Sequence, residues 1–164
     1  MKVWTAALTV LWSAVLIHIS FVGRKVFTNP KPEDCTFCQE RNSTRFRYYE
    51  DDTLLAIKDE QPDCAVHILV LPVVHVKDVL SADQNIVKAM SAKCLELLEN
   101  TGGTGERVLV FHRPPYYSQP HLHLHCKLCT PTDLSLFSYR GLRNWVESWT
   151  ALTVDSALSL PLAS

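Results

Sequence analysis

Three histidines alternate with leucines in the run His121-Leu-His123-Leu-His125. In an extended strand successive side chains point to opposite faces, so the three imidazoles share one face while Leu122, Leu124 and Cys126 share the other. Neighbouring imidazoles would stand about 6 to 7 Å apart, close enough to surround one phosphate or to share a metal ion. Neutral imidazole is a good nucleophile and its protonated form a good acid, because an ordinary pKa of about 6.5 leaves both forms accessible near neutrality. A reactive cluster, a three-histidine metal chelate and a solvated strand face are the readings these residues leave open.

Six cysteines add a second kind of chemistry. Cys35-x-x-Cys38, with histidines elsewhere in the chain, outlines tetrahedral zinc binding by thiolates and imidazoles. Cys126-x-x-Cys129 allows a rival site in which both cysteine pairs supply four thiolates, although strand alternation turns Cys126 away from the histidines. Cys64 and Cys94 read as ordinary buried thiols.

The elements that must position these residues follow from the pattern of the chain. Thr44 to Glu50 and Leu54 to Lys58 flank the polar turn Asp51-Asp52-Thr53 and predict a hairpin. His67 to Leu71, closed by Pro72, reads as a buried strand. Ser81-Ala-Asp-Gln84 has capping-box spacing; Ile86, Met90, Cys94 and Leu97 then recur at helical intervals to Asn100, and Gly102-Gly103 ends the segment. Arg107 to Phe111 and His121 to Lys127 are two further strands, and Gly141 to Trp149 a short helix. This order predicts an α+β domain, a mainly antiparallel sheet with one main helix and a short C-terminal helix.

A length of 164 residues, 47% hydrophobic and 20% charged, suits one folded domain. The formal net charge of -1 lacks the basic excess of a nucleic-acid-binding surface, so any phosphate ligand must be held locally. Val3 to Val22 carries no charge and has the length of a membrane-spanning helix, with a cleaved signal peptide as the competing reading. Arg24, Lys25 and Lys31 after the segment outweigh Lys2 before it, which predicts a single-pass anchor with the domain facing the cytosol and reduced thiols in it. The resulting division is an anchor over 1–26, a linker over 27–34 with Asn29-Pro30-Lys31-Pro32, a folded domain over 35–149 and a tail over 150–164.

The run HLHLHCK resembles the His-x-His-x-His-x-x signature of the histidine triad superfamily. Cys35-Thr-Phe-Cys38, Asp59, His67-Ile-Leu-Val-Leu-Pro72-Val-Val-His75 and Ser118 fall in that family's order, and the segment through SYRGLRNWVESW is most similar to its nucleotide-binding proteins of the third type. The resemblance implies a hydrolase of AMP derivatives such as adenosine phosphoramidates, with His123 attacking the α-phosphorus to form an adenylyl-histidine. It implies that His125 assists at the phosphoryl oxygens, that Ser118 helps protonate the leaving amine and that His67 joins the proton network. Asp59 would accept hydrogen bonds from the ribose hydroxyls, Ile57 would line the base pocket, and Cys35, Cys38, His75 and His121 would hold structural zinc. Relatives are often homodimers, and no organic cofactor is implied.

One departure concerns the loop before Ser118. Many relatives have a glycine-rich stretch there that presents N–H groups to phosphate, whereas this chain has Arg113-Pro-Pro-Tyr-Tyr117, in which the prolines supply no donors. His112, Arg113 or a tyrosine hydroxyl would take over. Dinucleoside polyphosphate hydrolysis, adenylyl transfer and a non-catalytic nucleotide sensor are the alternatives.

Overall fold

The computed structural model describes residues 31–114, 119–135, 146 and 150–160. Two 3-10 turns, Pro32–Asp34 and Thr36–Asn42, lead into β1 (Arg47–Glu50), β2 (Leu54–Lys58) and β3 (Val66–Pro72). Helix α1 (Gln84–Asn100) is followed by β4 (Glu106–His112), β5 (Leu124–Cys129), β6 (Ala151–Thr153) and the short helix α2 (Val154–Leu158). The described strands form one sheet in the order β1-β2-β3-β5-β4-β6, every neighbouring pair antiparallel. The antiparallel α+β architecture is the one the sequence predicts.

Period-two alternation divides the sheet into two working faces. Leu54, Ala56, Ile68, Val70, Leu122, Leu124, Cys126 and Leu128 pack with Val87, Met90, Cys94 and Leu98 of α1 in the larger core. On the other face Leu55, Ile57, Leu69 and Leu71 pack with Cys35 and Phe37. The N-terminal 3-10 turns therefore cover the face that carries the histidines.

Local hydrogen bonds explain several shifted boundaries. The Asp83 side chain caps α1, accepting the Asn85 N–H at 2.6 Å, whereas the expected cap Ser81 is held by Asp78 at 2.9 Å. Gly102, at φ +61°, supplies the left-handed residue that ends the helix. The first strand begins at Arg47 instead of Thr44, because the Arg47 guanidinium turns back onto the carbonyls of Glu40, Arg41 and Ser43. The last central strand starts at Leu124 instead of His121, since the Leu122 N–H donates to the Val76 carbonyl at 2.6 Å and not to the ladder. The chain around His121 nevertheless keeps its alternation, with Leu122 in the helix-side core.

Two sequence-based expectations are corrected. Cys64 is bridged to Cys129 and Cys94 to Cys126, so these four residues are neither free thiols nor part of a four-thiolate site. The transmembrane anchor and the single-pass, cytosol-facing placement are withdrawn as well. Among the described residues no helix is long and apolar enough to cross a membrane; the longest has 17 residues and is interrupted by Lys88, Lys93, Glu96 and Glu99. Val3 to Val22 and Ser118 lie outside the described residues, as does the segment expected to form the Gly141–Trp149 helix apart from Val146.

Candidate active site

Strand β5 and the extended chain before it bring the triad to the covered face. Register sets Leu69 of β3 and Val110 of β4 on either side of His125, so His112, one period further along β4, reaches the triad too. The His112 and His125 ring centroids are 4.4 Å apart, and those of His123 and His125 5.0 Å. A cavity of about 300 Å³ opens here, lined by His112, His123, His125 and Asp59 together with Phe37 and Arg45.

His123 is oriented by backbone. Its Nδ1 lies 2.7 Å from the carbonyl oxygen of His121. A carbonyl only accepts, so Nδ1 holds the proton and Nε2 the lone pair. Burial lowers the His123 pKa to about 4, opposed by that hydrogen bond and reinforced by His112 and His121. The ring is therefore neutral near pH 7. The edge of Phe37 packs against it, ring centroids 5.1 Å apart.

Behind His123 lies a polar chain. His125 Nδ1 is 2.8 Å from His67 Nε2, and His67 Nδ1 is 2.9 Å from Asp63 Oδ1. Asp59 Oδ2 is 3.5 Å from His67 Nε2, while Asp59 Oδ1 accepts the Gln61 N–H at 2.6 Å. Nε2 of His125 is buried without a hydrogen-bond partner among the described residues. Burial first, then the neighbouring His123, His112, His67 and Lys127, push the His125 pKa well below its ordinary value. A buried polar nitrogen left unpaired in a cavity wall is a site for a ligand oxygen.

Cys35, Cys38, His75 and His121 converge next to the triad, their ligand atoms all within 4.8 Å of one another. Nδ1 of His121 is 3.3 Å from Cys35 Sγ and 3.4 Å from Cys38 Sγ, and His75 Nδ1 is 3.3 Å from Cys38 Sγ. Tetrahedral zinc, with bonds of about 2.0 to 2.3 Å, needs its ligand atoms roughly 3.3 to 3.8 Å from each other, so these contacts have the right size. Nε2 of His121 lies 2.9 Å from the Pro72 carbonyl, which places its proton there and leaves Nδ1 free to ligate. Burial and the adjacent Cys35 push the Cys38 thiol up to about 12, so a thiolate there calls for a compensating cation. These four residues could hold a metal ion.

His67, His75, His112, His121, His123, His125, Cys35, Cys38 and Asp59 thus gather in one region. Ile57 does not reach the cavity: it is fully buried in the cluster beneath, and Leu69 stands in the wall instead. Sequence reasoning missed Phe37, Asp63 and Lys127. Phe37 lies inside the cysteine pair, and Lys127 continues the two-residue period of the histidines into a signature position where an apolar residue is expected. Lys127 is fully buried, with Nζ 3.0 Å from Asp63 Oδ2. Burial alone would raise the Asp63 pKa, but His67 and the Lys127 charge hold it well below the ordinary carboxylate value.

Comparison with known proteins agrees with this geometry. Residues 33–131 match the protein family described as "Scavenger mRNA decapping enzyme C-term binding". Over 99 residues the chain is 33% identical to the bifunctional adenosine 5'-phosphosulfate phosphorylase/adenylylsulfatase HINT4 of Arabidopsis thaliana, a span of 56% of this chain and 68% of that protein. Over 138 residues it is 31% identical to the adenosine 5'-monophosphoramidase HINT3 of Xenopus tropicalis, covering 79% of this chain and 88% of the relative. Among solved structures it is similar to a HIT family hydrolase from Clostridium thermocellum, with TM-score 0.55 and 26% identity over 60% of this chain and 93% of that one.

Proposed function

The chain belongs to the histidine triad superfamily, and from that premise we propose that it hydrolyses AMP derivatives at the bond between the α-phosphorus and a leaving amine. The observation that carries this reading is the tautomer of His123: the His121 carbonyl holds its Nδ1–H at 2.7 Å, so a neutral imidazole lines the cavity with a lone pair on Nε2. In the first step Nε2 bonds to phosphorus as the P–N bond breaks, and the departing amine takes a proton. In the second, water cleaves the adenylyl-histidine and releases AMP and the free imidazole. Two lower barriers replace one high one.

The remaining residues divide this work. Unpartnered Nε2 of His125 suits a phosphoryl oxygen once it carries a proton. Asp59, in the cavity wall, suits the ribose hydroxyls as a fixed acceptor. Ser118 is the sequence-based candidate for protonating the amine. The names of the Arabidopsis and Xenopus relatives differ in the group attached to the adenosine 5'-phosphoryl unit, which supports a conserved electrophile with a variable leaving group. Zinc is the ion we propose for Cys35, Cys38, His75 and His121, in a structural role that fastens the N-terminal turns to the histidine face.

Incubating the purified full chain with adenosine 5'-phosphoramidate should release AMP, and His123→Ala should remove that activity. Tight AMP binding without turnover by the unmodified protein would replace this reading with a nucleotide sensor.

A further inference from the structure

The histidine face does not end at His125. Two residues on, Lys127 takes the same face, directly opposite His67 in the β3–β5 register. From there a continuous polar chain runs to the cavity: Lys127 Nζ to Asp63 Oδ2 at 3.0 Å, Asp63 Oδ1 to His67 Nδ1 at 2.9 Å, and His67 Nε2 to His125 Nδ1 at 2.8 Å. All four residues are buried. Of these four, the phosphoryl chemistry described above uses only His125. Burying an ammonium and a carboxylate carries a desolvation penalty that a well-packed apolar pair would avoid, so stability alone is a poor reason for Asp63 and Lys127 to be there.

Direction is what this pair can supply. An ionised carboxylate only accepts hydrogen bonds, and the Lys127 ammonium beside it keeps Asp63 ionised. The Asp63 backbone N–H also points at His67 Nδ1, but from 3.5 Å against 2.9 Å for the carboxylate oxygen. The carboxylate contact is an ion-pair approach, shorter and charged, and it favours a proton on His67 Nδ1, which leaves Nε2 to accept from His125. His125 then donates through Nδ1 and presents a lone pair at Nε2. Reversing the chain would turn that nitrogen into a donor.

We propose that Asp63 and Lys127 are positioning residues that fix the hydrogen-bond direction of the His67–His125 pair and so determine the tautomer of His125 that meets the phosphate. The inference rests on the nucleotide-hydrolase reading of the cavity. It also provides a proton store. When a proton from water or from a bound phosphate hydroxyl enters at His125 Nε2, the Nδ1 proton of His125 passes to His67 Nε2. His125 stays neutral and now donates to the phosphoryl oxygen, and the single positive charge rests on His67 between Asp63 and Asp59. Return of the proton restores the resting chain.

The test is nitrogen-15 NMR of the histidine rings in the full chain, together with single-turnover kinetics on adenosine 5'-phosphoramidate. Wild-type protein should show both His67 and His125 protonated at Nδ1. Asp63→Leu combined with Lys127→Met removes both charges and leaves only the backbone N–H facing His67 Nδ1; it should move the His125 proton to Nε2. The same double variant should slow kcat about 10- to 100-fold with KM changed less than about threefold. Asp63→Asn with Lys127→Met keeps a carbonyl acceptor and should restore both the tautomer and most of the rate. Wild-type His67 lacking a proton on Nδ1 overturns the proposal even when the leucine variant fails to fold, and so does a folded leucine variant with unchanged tautomers and kcat. Wild-type protein with the stated tautomers but no AMP release supports the positioning role and overturns the hydrolase reading instead.

Discussion

Nδ1 of His123 hangs from the backbone carbonyl of His121 at 2.7 Å, while the side chain of His121 is itself one corner of the Cys35, Cys38 and His75 cluster. The proposed nucleophile is thus aimed by the main chain of a candidate metal ligand. Whatever fixes His121 also fixes the lone pair of His123.

Removing the proposed zinc should therefore affect both stability and catalysis. Chelation, or His75→Ala, is expected to lower the melting temperature and to reduce kcat about 10-fold or more, in the range seen when groups that orient a metal site are lost. Metal content by mass spectrometry alongside calorimetry and AMP release checks this. A metal-free protein with unchanged Tm and kcat would show the cluster to be inert.

Asp59 lies in the cavity wall together with His123 and His125. Asp59→Ala should raise KM for adenosine 5'-phosphoramidate roughly 10- to 100-fold, the equivalent of losing about 1.5 to 3 kcal/mol of hydrogen bonding to a charged acceptor. Initial-rate kinetics would separate this from an effect on kcat alone, which would remove Asp59 from the ribose site.

Stability should fall in mild acid. The buried His125 has a pKa well below its ordinary value, so between the ordinary value near 6.5 and its lowered one the unfolded chain binds the proton and the folded chain does not. More protons on the unfolded state mean that stability rises with pH in this window and is lost as pH falls below about 6.5. Denaturant titrations at several pH values in wild type and His125→Asn should show a shallower acid limb in the variant. Equal slopes would place the acid sensitivity elsewhere.

The bridge Cys64–Cys129 joins residues 65 apart in sequence, so it closes a long loop in the unfolded chain. Replacing both cysteines by serine should cost roughly 2 to 4 kcal/mol in urea unfolding. A change well below that range would mean the bridge contributes little to the native fold.

The parts of the fold legible in the sequence are those governed by local periodicity. Alternation put His121, His123 and His125 on one face and Leu122, Leu124 and Cys126 on the other, and helical spacing found Met90, Cys94 and Leu97 in the core. The set Cys35, Cys38, His75 and His121 was legible only through resemblance, because its members are up to 86 residues apart. Disulfide connectivity was not legible, since spacing alone does not pair Cys64 with Cys129 or Cys94 with Cys126. Ile57 was placed at the base pocket by the resemblance alone, and a matching strand position does not say whether other side chains cover it. Asp63 and Lys127 went unread because a charged residue in a signature position gains meaning only from the partner that register and loop closure bring to it. The apolar run at the N-terminus, read as an anchor, had no counterpart among the described helices.

The central claim is that His123 forms a covalent bond to phosphorus. Quenching the full chain in base within the first turnover of adenosine 5'-phosphoramidate, followed by peptide mass spectrometry, should find an adenylyl group on His123 that decays as AMP appears. AMP released at full rate with no adduct on His123, or undiminished release by His123→Ala, would contradict it.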